Sequence, residues 1–289
     1  MSSPVKVNPQ RFHKDQTKIH VLLIFVSLIM GLPVIFIINH AFKPFTELFA
    51  YPPTFFVREP TLENFQLLTN FSNQSGIPMS RYLFNSLFVA FTLIVLTLLI
   101  SSSAAFALSK LHFKGKKTFN KINTLALMFV PVAVAIPRFL IIVQLGLYNS
   151  IWAHIIPMLA MPVGLFLLKQ FIDQIPDSLI EAAKMDGASF ARIYWSIIMP
   201  MIKPALITVS LLTFQSVWGN VEASAIFMDS EAIRTLPFYM STLSSQTGNV
   251  VASAGVEAVG GLIMFVPNLL LFIILQNKVM NSMAHTGIK

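Results

Sequence analysis

Six stretches of this chain run for about twenty residues or more with at most two charged side chains apiece, and nothing else in it narrows the folding options so far. They lie at about 19–42, 83–108, 122–146, 151–171, 205–228 and 256–279. As helices rising 1.5 Å per residue, each reaches roughly 30 Å or more, the thickness of the hydrocarbon core of a bilayer. There, an unpaired backbone N–H or C=O is so costly that only helices and closed barrels can cross. None of the six alternates with period two, as a barrel strand would. The expectation is an all-α integral membrane protein with six transmembrane helices. Composition agrees: 55% hydrophobic residues, 11% charged and a mean hydropathy of +0.72 are too apolar for a soluble domain of 289 residues. Cysteine is absent, so neither disulfides nor thiol chemistry are available.

The net charge of +8 would suit a nucleic-acid partner, but its placement argues instead for membrane topology, and no nucleic acid is expected. Lys6, Arg11, Lys14 and Lys18 precede the first span. Lys110, Lys114, Lys116, Lys117 and Lys121 lie between the second and third, and Lys169, Lys184, Arg192 and Lys203 around the fourth-to-fifth connection. Lys278 and Lys289 come at the end. Against these fifteen, only Lys43, Arg58, Arg81, Arg138 and Arg234 fall on or near the other side. The excess of Lys and Arg marks the cytoplasmic face, so both termini are expected inside. The organisation is then a cytoplasmic N-tail (1–18), a six-helix domain (19–279) and a cytoplasmic C-tail (280–289). The N-tail has no short apolar core followed by a small-residue cleavage site, so it does not read as a removable signal.

One connection on the basic side is long enough to hold structure of its own. Residues 173–204 include Asp177–Leu206 in part, DSLIEAAKMDGASFARIYWSIIMPMIKPAL, which predicts two short helices joined at a glycine. Pro176 suits a helix start, and Asp177 and Glu181 place negative charge near it. Gly187 suits the left-handed residue that closes the first helix, and Ser189 the cap of the second. In that second helix Phe190, Ile193, Tyr194, Ile197 and Ile198 recur at helical spacing, until Pro200 and Pro204 end it. Such a hairpin can dock into a groove on a soluble partner or lie on the membrane surface as a connector; physical chemistry alone leaves both open.

Glu181-Ala182-Ala183, three residues, Gly187, nine residues, Ile197, one residue, then Met199-Pro200 resembles the loop of binding-protein-dependent ABC importer permeases. Met199 in place of leucine is the single departure and conserves volume. Phe42-Lys43-Pro44, Pro60-Thr61-Leu62-Glu63-Asn64-Phe65, Phe84-Asn85-Ser86-Leu87 and Leu145-Gly146-Leu147-Tyr148-Asn149-Ser150 resemble the maltose-type sugar branch, specifically its smaller permease. The resemblance implies the type I importer permease fold in the cytoplasmic membrane of a prokaryote, with a cytoplasmic coupling loop. It implies that Glu181, Ala182, Ala183, Asp186, Gly187, Ser189, Ile197 and Pro200 couple the chain to an ATPase. It also implies the partners: a second permease of paralogous kind, two ATPase subunits holding ATP and Mg, and an external solute-binding protein delivering a sugar. The chain itself would be no enzyme and carry no cofactor or metal.

Ionisable groups inside spans need a partner or a wet cavity, since a mid-membrane charge costs about 2.5–3.5 kcal/mol on insertion scales. Gln215, Trp218 and Glu222 fall at i, i+3, i+7, with Asn220 nearby, and would share one helix face. An aromatic beside hydrogen-bonding groups suits a sugar ring; inter-helix hydrogen bonding is the plainer alternative. Arg138 reads as snorkelling to the outer surface, and His154 as a packed polar residue rather than a ligand. A non-sugar solute is the alternative within the same class. A secondary transporter would show inverted repeats and paired mid-membrane carboxylates, and an intramembrane enzyme a nucleophile turn or a metal motif; neither is present.

Overall fold

The computed structural model describes residues 16–74, 76–129, 131–246 and 250–286, and every regular element among them is helical. Two compact units divide the chain, one of residues 1–68 with 247–262, the other of 69–246 with 263–289.

The first unit contains helix α1 (Thr17–Ala41), the single turn α2 (Phe45–Leu48), the start of α3 (Glu63–Gln74) and the beginning of the last helix. α1 is the most apolar span of all, with a windowed hydropathy of 3.1 and none of that window buried by the rest of the chain. Its C-terminal end is closed by Asn64, a buried side chain whose Nδ2 donates to Ala41 O at 3.1 Å and Lys43 O at 2.8 Å. The Lys43 ammonium, also buried, donates to Thr54 O, while the Glu47 carboxylate accepts from the backbone N–H groups of Arg58 and Glu59. The loop after α1 is thus folded by side chain-to-backbone bonds. Gly255 is where the last helix passes this cap, and a Cβ there would stand 2.5 Å from Asn64 Oδ1. Gly255→Ala should therefore dislodge Asn64, unpair the α1 carbonyls and cost about 2–3 kcal/mol. The check is the unfolding temperature of the detergent-solubilised chain. Asn64→Ala should lower it too, and Gly255→Ala added to Asn64→Ala should cost little more, because both act on one contact.

The second unit is built on α4 (Met79–Lys110), 32 residues or roughly 48 Å, against which most of its other elements pack. The expected third span is met by α5 (Lys116–Ala126), a 3₁₀ turn at Pro131–Val134 and α6 (Ala135–Gln144) rather than by one rod. Pro131 opens the turn, and Pro137 falls in the first turn of α6, where a missing N–H leaves nothing unpaired. The fourth is α7 (Trp152–Leu159) and α8 (Pro162–Asp173), bent by 45° where Pro162 restarts the ladder. After α8 come α9 (Asp177–Met185), α10 (Phe190–Ile193), a π turn at Tyr194–Ile198 and α11 (Met199–Met201). A 78° bend at Ile202 leads into α12 (Lys203–Trp218). The expected fifth span is interrupted at Gly219–Val221 and resumes as α13 (Glu222–Phe227). Beyond α14 (Leu236–Gln246), α15 (Val250–Thr286) continues in one piece past the end expected of the sixth span. Among the described residues, three helices (Thr17–Ala41, Met79–Lys110 and Ser253–Gln276) are individually long and apolar enough to cross a bilayer, or up to five spans if each bent pair counts as one. The N-tail up to Asp15 and the last three residues of the C-tail lie outside the described residues.

Two of the motifs that carry the resemblance, at Phe84–Leu87 and Leu145–Ser150, act as clamps. Asn85 Nδ2 donates to the carbonyls of Ala232 (2.9 Å) and Arg234 (2.8 Å), and Ser86 Oγ accepts from Leu236 N at 2.8 Å. Asn149, held at φ 56°, accepts from Asp229 N and Ser230 N, and the Tyr148 hydroxyl donates to Asp229 at 2.8 Å. That bond to a carboxylate raises the Tyr148 pKa above its ordinary 10.0 and keeps the phenol a donor. Glu231 joins the same loop, accepting from Tyr82 and pairing with Arg234.

Candidate functional site

The hairpin at 177–201 is fixed from below. Ile180, Ile193, Tyr194 and Ile198 enter one buried cluster with Leu168 and Ile172 of α8, Ala105 and Phe106 of α4, and Ala205 and Val209 of α12. Inside that apolar contact the Tyr194 and Ser102 hydroxyls meet at 2.6 Å, a polar pair that fixes the helix register on α4. At the hairpin's entry, Lys110 at the end of α4 donates to Ile175 O at 2.6 Å and to Asp177 at 2.7 Å. The hydrogen bond from Lys110 lowers the Asp177 pKa below its ordinary 3.8. The depressed folded value means the pair contributes at pH above 3.8 and is lost only as pH falls through the lower value, so it is intact at neutral pH.

The apex is closed as a Schellman turn. Gly187 N donates to Lys184 O and Ala188 N to Ala183 O, both at 2.9 Å, with Gly187 at φ +78°. Ser189 caps α10, its Oγ accepting from Arg192 N at 3.3 Å. The π turn follows because Pro200 has no N–H to give Ser196 in a regular helix; the Met199 N–H reaches back to Tyr194 O instead.

This arrangement sorts the expected coupling residues. Glu181, Ala182, Asp186, Gly187, Ser189 and Pro200 are exposed, whereas Ala183 and Ile197 are half-buried beneath them. Phe190 departs from the expected buried face: it is 50% exposed and its ring carries the Lys184 ammonium at 4.8 Å. Met185 (89% exposed) and Trp195 (55%) add apolar surface that helical spacing does not single out. Together they make an exposed surface of mixed apolar and charged character over the buried cluster.

The second expected site is corrected. Gln215, Trp218 and Glu222 do not share a helix face, because α12 stops at Trp218 and Glu222 opens a new helix. Trp218 is 2% exposed, stacked on Phe214 with ring centroids 5.1 Å apart, and its Nε1 donates to Met264 O at 3.0 Å. An indole so enclosed presents no ring face to a ligand. Asn220 Oδ1 accepts from Ala223 N at 2.9 Å, capping the restart. Gln215 and Glu222 are exposed. Arg138 pairs with Glu222 at 2.5 Å, a partner that the sequence pattern did not assign to it. His154 is buried and bonds Ile233 O at 3.2 Å, a packed polar group as expected. No cluster of three metal-ligating side chains occurs among the described residues.

In the second unit, helices packed on α4 carry a two-helix hairpin seated on α8 and α12. Residues 17–278 match the model for the binding-protein-dependent transport system inner membrane component, and the chain belongs to that family. It is similar to the probable ABC transporter permease protein YurM of Bacillus subtilis, 30% identical over 99% of this chain and 93% of the relative. It is also similar to the sulfoquinovosyl glycerol transport system permease SmoH of Agrobacterium fabrum, 31% identical over 91% of both chains. The arabinooligosaccharides permease AraQ of Halalkalibacterium halodurans is 28% identical over 92% of this chain and 93% of its own. Among solved structures, a bacterial ABC transporter importing the acidic polysaccharide alginate contains a chain of the same fold, with a TM-score of 0.80 at 21% identity. That likeness covers 93% of this chain and 99% of the other. The chain is thus an all-α membrane permease of an ABC transport system and not itself an enzyme.

Proposed function

We propose that this chain is one of two permease subunits of an importer for a sugar or oligosaccharide, and that the apex around Gly187 docks on a separate ATPase subunit. The observation that carries the docking reading is the exposed, hydrogen-bonded turn at Glu181–Ser189, seated through Tyr194 and Ser102 on the longest helix of the unit. The hairpin packs directly on α4, α8 and α12, which gives a displacement of the apex a path into them. The relatives named for sulfoquinovosyl glycerol and arabinooligosaccharides support a carbohydrate substrate. ATP and Mg belong to the ATPase, and an extracytoplasmic binding protein delivers the solute. Of the expected pathway residues, Gln215 and Glu222 are exposed, Asn220 is half-buried and Trp218 is buried. The charge bias supports a cytoplasmic position for the apex and both termini.

The test is isolation of the intact assembly from its native membrane, with every subunit identified and ATP hydrolysis measured. Co-purification of a second permease and an ATPase, with hydrolysis stimulated by a binding protein loaded with an oligosaccharide, is the expected result. Absence of any ATPase subunit would sink the docking reading, and stimulation only by a non-carbohydrate solute would sink the substrate class. Orientation is read separately. The chain has no cysteine, so Tyr51→Cys should react with a membrane-impermeant thiol reagent in intact cells and Met185→Cys should not.

A further inference from the structure

A small cavity lies where α4, α7 and the break between α12 and α13 meet, wholly within the second unit. Its volume of about 10 Å³ is that of one water-sized sphere. Four polar side chains line it: Ser86 of α4, His154 of α7, Asn220 in the break and Thr235 just ahead of α14. Ser86, His154 and Thr235 are buried, at 4%, 3% and 5% exposure. Among apolar spans such groups must find partners inside the protein, because hydrocarbon offers none.

Part of each group's hydrogen-bonding capacity is used elsewhere. Ser86 Oγ accepts from Leu236 N at 2.8 Å, and its own hydrogen has no acceptor among the described residues. His154 Nε2 must carry the hydrogen it gives to Ile233 O at 3.2 Å. In the neutral ring Nδ1 is then a lone pair, with no donor to it among the described residues. Asn220 Oδ1 accepts from Ala223 N at 2.9 Å, and one Nδ2 hydrogen reaches the Met158 sulfur at 3.4 Å, which leaves the second. Thr235 Oγ1 shares one hydrogen with Ser224 Oγ at 2.9 Å and keeps a lone pair. What is left is two donors, Ser86 O–H and Asn220 N–H, and two acceptors, His154 Nδ1 and Thr235 Oγ1. A single water molecule accepts twice and donates twice, and so complements all four. A cation does not, since two of the groups present hydrogens and, among the described residues, no charged side chain lines the cavity.

We propose that this cavity binds one ordered water, which bridges α4, α7, the α12–α13 break and the segment ahead of α14. The water supplies interhelical hydrogen bonds at the interruption after Trp218, where Gly219–Val221 leave the regular ladder. It gives Asn220 and His154 a shared structural role, and it holds whichever solute is carried and wherever the ATPase docks.

The test is a density map of the assembled transporter at a resolution that shows ordered waters. A peak is expected within about 2.7–3.2 Å of His154 Nδ1 and of at least two of Ser86 Oγ, Asn220 Nδ2 and Thr235 Oγ1. No peak, a peak touching fewer of these groups, or one at metal–ligand distances would overturn the proposal. His154→Phe keeps a ring but removes the acceptor, and should lose the peak; a peak retained at full height there would overturn it as well. Val89→Ile adds a methylene to a side chain that lines the cavity. It should lower the unfolding temperature by about 2–4 °C, because it displaces a molecule whose hydrogen bonds an alkyl group cannot make. A raised temperature, the result of filling a dry void, would sink the idea. If either variant fails to assemble, the map of the unsubstituted transporter decides by itself.

Discussion

Gly187→Pro should reduce uptake to background while leaving the chain inserted in the membrane at its normal level. Two losses coincide at that position. Proline cannot reach φ +78°, since its ring holds φ near −65°, and it has no N–H for Lys184 O. The turn cannot close, the Ala188 bond to Ala183 goes with it, and α10 leaves α9 at a new angle. Gly187→Ala separates the two effects. It keeps the N–H and suffers only the left-handed penalty of about 1 kcal/mol, and open space surrounds the added Cβ. Uptake in this variant should be lowered severalfold rather than abolished. The measurements are initial uptake rate and the amount of ATPase recovered with the tagged permease. Full ATPase recovery and normal uptake with proline at 187 would show the hairpin to be a connector lying on the membrane. Loss of the chain from the membrane in both variants would show the turn to be needed for folding rather than for docking.

The hairpin was legible because it is local. Every interaction that shapes its apex spans five residues or fewer, from Ala183–Ala188 to Ser189–Arg192, and turn chemistry at Gly187 and Ser189 writes that geometry directly into the sequence. Apolar spans were legible for a similar reason, as hydropathy over some twenty residues is a property of contiguous chain. Where the reading failed, the deciding contact joined distant residues. Helical spacing put Trp218 and Glu222 on one face only on the assumption of an unbroken helix, and Gly219–Asn220 ends that helix between them. Arg138 and Glu222 are 84 residues apart, so each charge was assigned its own solution, although pairing removes the cost of both. Nor did the family motifs declare their work. Asn64, Asn85 and Asn149 each satisfy two backbone groups of remote loops, a role that becomes visible only once those loops are placed.

Glu222→Ala should lower uptake severalfold without releasing the ATPase, and exchanging the two charges should restore most of it. Glu222 sits in the first turn of α13, where a carboxylate favours the helix start, and its 2.5 Å contact with Arg138 of α6 braces the break after α12. The Arg138 side chain is only 25% exposed, and its Nε is buried without a partner among the described residues. Removing Glu222 therefore strands a half-buried cation, a loss of about 1–3 kcal/mol. Arg138→Glu combined with Glu222→Arg rebuilds the pair with its sense reversed, at the smaller cost of an arginine near a helix N-terminus. If the bridge is a brace, the exchanged protein should regain uptake with an unchanged half-saturating sugar concentration. If instead Glu222 hydrogen-bonds the passing sugar, the exchange should fail to restore uptake. Glu222→Gln, which keeps a hydrogen-bonding group but not the charge, should then transport better than the exchanged pair. The two roles make opposite rankings of the same variants, and uptake measured across a panel of oligosaccharides decides between them.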